Sequence, residues 1–218
     1  MTKKVYCTLD TETFGGASNP KGIYHLAGLI HDRQGNIFAS FNYLIAEHYD
    51  EIEKDSYAKK NFYKYQQMVE NGIVTMIPTE KLAVEMVENL CAYYGVDTML
   101  AYNSGFDFVK TQCRDLVSDR DFIDLWLMAL LTIGQQKKYC KFCADNGYTT
   151  SKNNVQTSAE VMTRFLNSDL DFSEEHTAFE DSKIEMEIFL KCLDKHSKIV
   201  KNTHCFDYPN SYKLFKKV

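Results

Sequence analysis

The chain has 218 residues and 44% of them are hydrophobic, which suits one α/β domain with a sizeable core. Three prolines and ten glycines leave little room for flexible linkers, so we expect a single domain over residues 1–218. The formal net charge of −5 argues against broad electrostatic wrapping of duplex nucleic acid. It leaves open an enzyme whose clustered carboxylates are neutralised by bound metal ions.

The N-terminal sequence Met1–Cys7 lacks the apolar run of a signal peptide, and no stretch of the chain reaches the length of a transmembrane helix. The longest apolar segment, Leu125–Ile133, is about half that length and predicts a buried helix. Seven cysteines, an odd number without a secretion signal, indicate reduced thiols. We therefore expect a cytoplasmic protein with no membrane partner.

Three strand patterns open the chain. Lys4–Asp10 alternates and is rich in strand-forming residues, and Ile23–His31 predicts a second strand. The turn signal Arg33–Asn36 separates it from a third strand, Ile37–Ile45. Strands joined in sequence by a short turn favour an antiparallel arrangement.

Helical and strand patterns alternate through the remainder of the chain. The predicted elements are a polar helical stretch Glu51–Glu70, a helix from Pro78 to Tyr94 closed by Gly95, a strand Thr98–Tyr102, a helix from Ser104 to about Val117, and a short strand Phe122–Asp124 with a helix after it. Capping boxes at Thr157–Glu160 and Thr177–Glu180 predict a helix over Val161–Leu166 and a long helix to about His196. The fold class is therefore α/β, with a single mixed five-stranded sheet, its first three strands antiparallel, flanked by helices.

Three acids occupy positions from which they can meet. Asp10 and Glu12 are two residues apart on the first strand, so their side chains point to the same face. Asp107 lies in the first turn of the helix after the fourth strand. Each has an ordinary explanation, since such acids are often solvated or favoured by a helix dipole. If they converge, however, they offer ligands for a divalent metal.

A further acid and a histidine lie near the start of the final helix. Asp181 shares a helix face with Ile184 and Ile188, and an acid on such a buried stripe needs a partner, for which a metal ion is suited. His176 precedes this helix, where a loop residue can reach over the site. An imidazole can accept a proton near pH 7, as general-base catalysis requires.

These residues carry a resemblance to a known family. The chain resembles the DEDDh exonucleases, a branch of the ribonuclease-H-like superfamily. The matching motifs, in order along nearly the whole chain, are Asp10–Thr13, Asn103–Asp107, Phe122–Leu125, and His176 with Asp181. The stretch Asn153–His176 is similar to small exonucleases of phages and prophages. The resemblance implies a ribonuclease-H-like fold and, if phage-encoded, a place in the host cytoplasm.

The same resemblance implies an activity. Asp10, Glu12 and Asp181 would be direct ligands of two divalent metal ions, Mg²⁺ or Mn²⁺, and Asp107 would bind through water or at the second ion. His176 would be the general base. The expected reaction is 3′→5′ hydrolysis of single-stranded nucleic acid, with DNA slightly favoured, releasing nucleoside 5′-monophosphates. The alternatives are an oligoribonuclease-like enzyme acting on RNA and a non-catalytic nucleic-acid-binding module on the same fold.

Substrate contacts are expected beside these motifs. Stacking surfaces suit a terminal nucleotide better than a basic stripe does, although the same apolar residues are often simply core. The resemblance implies that the backbone amides around Thr11 and Glu12 hold the terminal sugar hydroxyl. The predicted contact residues are Thr11, Thr13, Phe14, Leu26, Asn103 and Phe106.

Two further features of the sequence, a stretch rich in tyrosine and lysine and a pair of cysteines, do not point to a single function. The stretch Glu47–Tyr65, rich in tyrosine and lysine, is either a lip over the substrate or a surface for a partner. Cys140 and Cys143 have the spacing of half a zinc site, but a second pair with suitable spacing is missing. We expect these two cysteines to be free thiols.

Overall fold

Six strands form one mixed sheet in the order β4-β3-β2-β1-β5-β6. The protein is described here by a computed structural model, which describes residues 4–15, 19–195 and 199–218. The strands are β1 (Val5–Phe14), β2 (Gly22–Asp32), β3 (Ile37–Ile45), β4 (Thr75–Ile77), β5 (Thr98–Ala101) and β6 (Asp121–Asp124). β2 pairs antiparallel with both β1 and β3, whereas β4 pairs in parallel with β3, β5 with β1, and β6 with β5.

Helices cover both faces of this sheet. They are α1 (Ala46–Lys54), α2 (Phe62–Glu70), α3 (Glu80–Tyr94), α4 (Leu125–Thr132), α5 (Lys137–Asn146), α6 (Ala159–Asn167) and α7 (Ala178–Lys195). Within the described part of the chain, none of the helices combines the length and the apolar character needed to cross a membrane.

The alternation of side chains along β1 divides the core into two layers. Cys7 and Leu9 belong to a buried cluster that includes Val87 of α3. Tyr6 points to the other face, into a cluster that includes Phe189 of α7. Because side chains two residues apart share a face, the even-numbered residues of β1 face α7.

One edge of β1 is open over the second half of the strand. β5 pairs only with Tyr6–Thr8, while β2 accompanies β1 to its end at Phe14. The chain that leaves β5 therefore passes the edge of β1 close to Asp10, which lies two residues beyond the last paired residue, Thr8. This short parallel pairing gives later segments access to the middle of the sheet.

The fold class predicted from the sequence is confirmed, but the sheet has six strands where five were predicted. The additional strand, β4, has three residues and was too short to show an alternating pattern. The predicted helix over Glu51–Glu70 is divided, because a 3₁₀ turn at Ala58–Asn61 separates α1 from α2.

Three predicted helix starts are also corrected. The segment from Ser104 to Val117 forms a π-helical turn, Phe106–Lys110, and a 3₁₀ helix, Gln112–Val117, and the Ser104 hydroxyl contacts His204 at 2.8 Å instead of capping a helix. Ser158, not Thr157, caps α6, because Thr157 accepts a hydrogen bond from Trp126.

The long final helix is found where it was predicted. It begins at Ala178, but the buried hydroxyl of Thr177 has no hydrogen-bond partner within residues 4–15, 19–195 and 199–218, so the predicted capping box is not formed. Its last described residue is Lys195, and the predicted end at about His196 lies outside the described residues.

Candidate metal and active site

Three of the predicted ligands converge. Oxygen atoms of Asp10, Glu12 and Asp181 all lie within 4.8 Å of one another. Asp10 and Glu12 are even-numbered residues of β1 and face α7, and Asp181 lies in the first turn of that helix. The packing of α7 against β1 therefore brings together acids that are about 170 positions apart in the sequence.

The electrostatics of this group favour a bound cation. Burial and the charge of Asp10 raise the pKa of Asp181 to about 8. Burial and the neighbouring carboxylates also raise the pKa of Asp10 and of Glu12 well above the usual range. The buried Oδ1 of Asp181 has no hydrogen-bond partner among the residues that the structure describes. A divalent ion with oxygen ligands would offset the repulsion and satisfy this atom, so the residues present fit a metal.

Asp107 reaches the group from the open edge of β1. It lies in the π-helical turn after β5, is 2% exposed, and accepts a 2.6 Å hydrogen bond from the Thr11 hydroxyl. Burial raises the pKa of Asp107 to about 7, while the Thr11 hydrogen bond lowers it. Asp107 is outside the group of three close carboxylates, but its charge raises the pKa of Asp10. The structure thus brings three of the four predicted acids together, and Asp107 lies outside their group.

Glu185 is a fifth acid that the sequence analysis missed. It is 3% exposed, and its Oε2 accepts a 3.1 Å hydrogen bond from the backbone N–H of Tyr102. Burial, followed by the charges of Asp10 and Asp107, raises its pKa well above the usual range. The available signal was its position four residues after Asp181, on the same face of α7.

His176 lies in the loop before α7 with its side chain exposed. Its backbone is left-handed, with φ of 51°, a conformation that is strained in most residues. Nδ1 lies 3.9 Å from the Glu174 carboxylate, and His176, Glu174 and Glu160 form a second group with ligand atoms within 4.8 Å. Burial, followed by the charge of Glu160, raises the pKa of Glu174 to about 7.

Two side chains from the start of α2 hold this loop. Asn61 Nδ2 donates a 2.9 Å hydrogen bond to the backbone oxygen of His176. Lys64 Nζ donates to the backbone oxygen of Glu175 at 3.0 Å and pairs with its carboxylate at 2.6 Å. These contacts hold the two peptide groups that flank the Cα atom of His176.

His25 of β2 binds the first backbone amide of α7. The sequence did not indicate this role. The Nδ1 of His25 accepts a 3.2 Å hydrogen bond from the Ala178 N–H, the first amide of α7, and its Nε2 lies 2.7 Å from Asn42 Oδ1. Burial lowers the pKa of His25 to about 4, so the ring is neutral and can accept this bond. A buried histidine on an apolar strand was the signal, but its partner is 153 residues away.

The predicted substrate contacts have different surroundings. Leu26 is fully buried in the core cluster beneath α3, which corrects the prediction that it contacts a base. Thr11 is buried and its hydroxyl donates a hydrogen bond to Asp107. Thr13 is half-buried near the end of β1.

The other three predicted contact residues are half-buried or exposed. Phe14 is half-buried, with its ring centroid 5.0 Å from that of His48. Phe106 is half-buried, and the Lys110 ammonium lies 5.8 Å from its ring centroid. Asn103 is exposed in a left-handed turn, which asparagine tolerates better than most residues.

The two cysteines with zinc-like spacing lie on α5. Among the described residues, the groups of ligand atoms close enough to share an ion contain carboxylates and a histidine but no cysteine. Cys143 is buried, Cys140 is half-buried, and both are free thiols.

The sheet order, its mixed strand directions and the acids beside the open edge of β1 define an α/β protein with the ribonuclease-H-like fold. Solved structures share it. One is a full-length 3′-exonuclease with a TM-score of 0.61 and 15% identity, over 100% of this chain and 92% of that one. Another is cell-death related nuclease 4 (CRN-4), with a TM-score of 0.54 and 13% identity, over 92% of this chain and 67% of that one.

The fold that the resemblance implied is thus confirmed. A further structure, E. coli Exonuclease I in complex with a dA16 oligonucleotide, aligns with a TM-score of 0.49 and 14% identity, over 87% of this chain and 41% of that one. No family model and no curated protein matches the sequence.

Proposed function

We propose that this protein is a metal-dependent 3′→5′ exonuclease that releases nucleoside 5′-monophosphates from single-stranded nucleic acid, with DNA slightly favoured over RNA. The observation that carries the proposal is the group of Asp10, Glu12 and Asp181, whose oxygens lie within 4.8 Å of one another and include a buried oxygen that has no hydrogen-bond partner in the described part of the chain. Repelling acids on a buried face cost stability, so their convergence is best explained by a metal-dependent reaction. The 3′-exonuclease and the nuclease that share the fold support this class of reaction.

Each site residue then has a role. Asp10, Glu12 and Asp181 would hold divalent ions, Mg²⁺ or Mn²⁺, and Asp107 would bind through water or at the second ion. When bound, two such ions supply an activated water and stabilise the leaving 3′ oxygen. Hydrogen bonding by Thr11 keeps Asp107 in place and favours its charged form.

His176 acts as the general base that accepts the proton of the attacking water. Its Nδ1 is turned toward Glu174, 3.9 Å away, which leaves Nε2 to accept this proton. The contacts from Asn61 and Lys64 hold the backbone on which the imidazole is carried. Water attack at phosphorus breaks the bond to the 3′ oxygen and leaves the phosphate on the released nucleotide.

The test uses single-stranded DNA and RNA of the same sequence, each labelled at its 5′ end, with Mg²⁺, Mn²⁺ or EDTA. We expect a ladder of products that shortens from the 3′ end, depends on the metal and is faster for DNA. Asp10→Ala should abolish the ladder. Asp145→Ala, which removes an exposed carboxylate on α5, is the matched control and should cleave as the parent does.

The outcomes separate the alternatives. Preference for RNA would replace the DNA assignment with an exoribonuclease. Release of the 5′ label on a single nucleotide at the start of the reaction, or internal cuts, would contradict the direction of the reaction. Absence of cleavage of either strand with either metal would favour a nucleic-acid-binding module on this fold.

A further inference from the structure

A short segment connects the two ends of the candidate site. Residues Asp55–Lys64, which we call the bridging segment, are tied at their start to the end of β1, because Asp55 Oδ2 accepts a 3.0 Å hydrogen bond from the Gly15 N–H. At their end, Asn61 and Lys64 bind the loop that carries His176. The chain between these anchors therefore passes from the strand of Asp10 and Glu12 to the proposed general base.

Tyr57 lies within this span. Asp55 Oδ1 accepts hydrogen bonds from the backbone N–H of Tyr57 at 2.8 Å and of Ala58 at 3.1 Å, which fixes the backbone that carries the ring. The residue is nevertheless 56% exposed. An aromatic side chain on an anchored backbone, beside a site and without burial in the core, offers a ready stacking surface.

The electrostatics agree with a position beside the carboxylates. Partial burial, followed by the charges of Glu12 and Asp181, raises the pKa of Tyr57. The Lys60 ammonium lies 5.4 Å from the centroid of the same ring. A base stacked on Tyr57 would thus find a cation nearby for the phosphate of its nucleotide.

We propose that Tyr57 stacks on the base of the 3′-terminal nucleotide, so that the bridging segment is the lip of the substrate site. This inference rests on the proposed exonuclease function and adds a contact residue to it. It decides between the two interpretations of the stretch Glu47–Tyr65, as substrate lip or partner surface, for the part of that stretch that lies between the anchors.

The experiment compares kcat/KM for two single-stranded DNAs that differ only at the 3′-terminal nucleotide, which either carries its base or is abasic. We expect Tyr57→Ala to lower kcat/KM on the normal strand by about 5- to 150-fold, the range that loss of one stacked base gives. The same substitution should change cleavage of the abasic strand by less than about twofold, because no base is present to stack. Tyr57→Phe should retain most of the activity on both strands.

Tyr93→Ala is the matched control, because Tyr93 is an 81% exposed tyrosine on α3, outside the bridging segment. It should cleave both strands as the parent does. An equal loss for Tyr57→Ala on both strands would make the residue structural and overturn the proposal, as would no loss on the normal strand. Failure of the parent to cleave either strand would instead contradict the exonuclease function itself.

Discussion

Thr11 donates a 2.6 Å hydrogen bond from its hydroxyl to the carboxylate of Asp107, a residue 96 positions later in the chain. Asp10 and Glu12 flank Thr11 on β1, but their side chains point to the opposite face of the strand. The same three-residue stretch thus supplies two carboxylates on one face and positions a third acid from the other. Its middle residue therefore links the acid after β5 to the group on β1.

Replacing Thr11 by valine should make the proposed activity more sensitive to acid. The hydrogen bond lowers the pKa of Asp107, which is about 7, so its loss should raise that pKa. A protonated carboxyl is a poor metal ligand, and the rate should therefore fall more at pH 6.5 than at pH 8.5. The expected loss at pH 6.5 is about tenfold, the effect of a hydrogen bond to a charged group. Initial cleavage rates between pH 6 and 9 provide the measurement.

Thr11→Ser serves as the control, because serine retains the donor. It should keep the pH profile of the parent. A loss in Thr11→Val that is the same at every pH would assign Thr11 to packing alone.

Asp181→Asn should stabilise the metal-free protein at pH 8. The pKa of Asp181 in the folded protein is about 8, above its ordinary value, so the proton it retains stabilises the fold at low pH and this contribution is lost as the pH rises toward 8. Asparagine removes the charge, and we expect the melting temperature in EDTA to rise by at least about 2 °C. Below about pH 4 the difference should disappear, because the acid is then protonated in both states.

The same variant should respond weakly to metal. Mn²⁺ should raise the melting temperature of the parent, since a ligand that binds only the folded state stabilises it, and should raise that of Asp181→Asn much less. Asp145→Asn should match the parent in both conditions. A lower melting temperature for metal-free Asp181→Asn at pH 8 would count against repulsion among the clustered acids.

Asn61→Ala should slow catalysis more than it weakens substrate binding. The substitution removes the 2.9 Å hydrogen bond to the His176 backbone and frees a loop that has a left-handed residue. A single hydrogen bond of about 1 kcal/mol corresponds to a roughly fivefold lower kcat, and KM should change little. Steady-state kinetics of this variant beside Lys59→Ala, which alters an exposed residue of the same turn, would test the role. An effect confined to KM would contradict it.

His25→Gln should make stability less dependent on pH in the acid range. The pKa of His25 in the folded protein is about 4, below its ordinary value of 6.5, so its contribution is present above pH 6.5 and is lost as the pH falls toward 4. The parent should lose about 3 kcal/mol from this residue across that window. Urea unfolding of both proteins at pH 7, 6, 5 and 4 gives the difference, and parallel curves would show that His25 does not titrate as proposed.

Local periodicity explains what could be predicted. Asp10 and Glu12 share a face because a strand repeats every two residues, and Asp181 lies on the inner face of α7 because a helix repeats every 3.6. Both relationships follow from the geometry of a single strand or helix, so they do not depend on how the rest of the chain folds. The order of strands and helices likewise indicated the α/β class, although the three-residue β4 carried too little pattern to be seen.

The features that could not be predicted from the sequence depend on contacts between distant segments of the chain. Glu185 meets the Tyr102 amide, and His25 meets the amide that begins α7, only because the sheet brings these elements together. Leu26 has the pattern of a strand residue on either face, and its burial under α3 decided that it is core. The sequence by itself therefore determined which acids and which histidine belong to the motifs. Their environment depended on long-range packing, since desolvation and hydrogen-bond partners arise only when the elements meet.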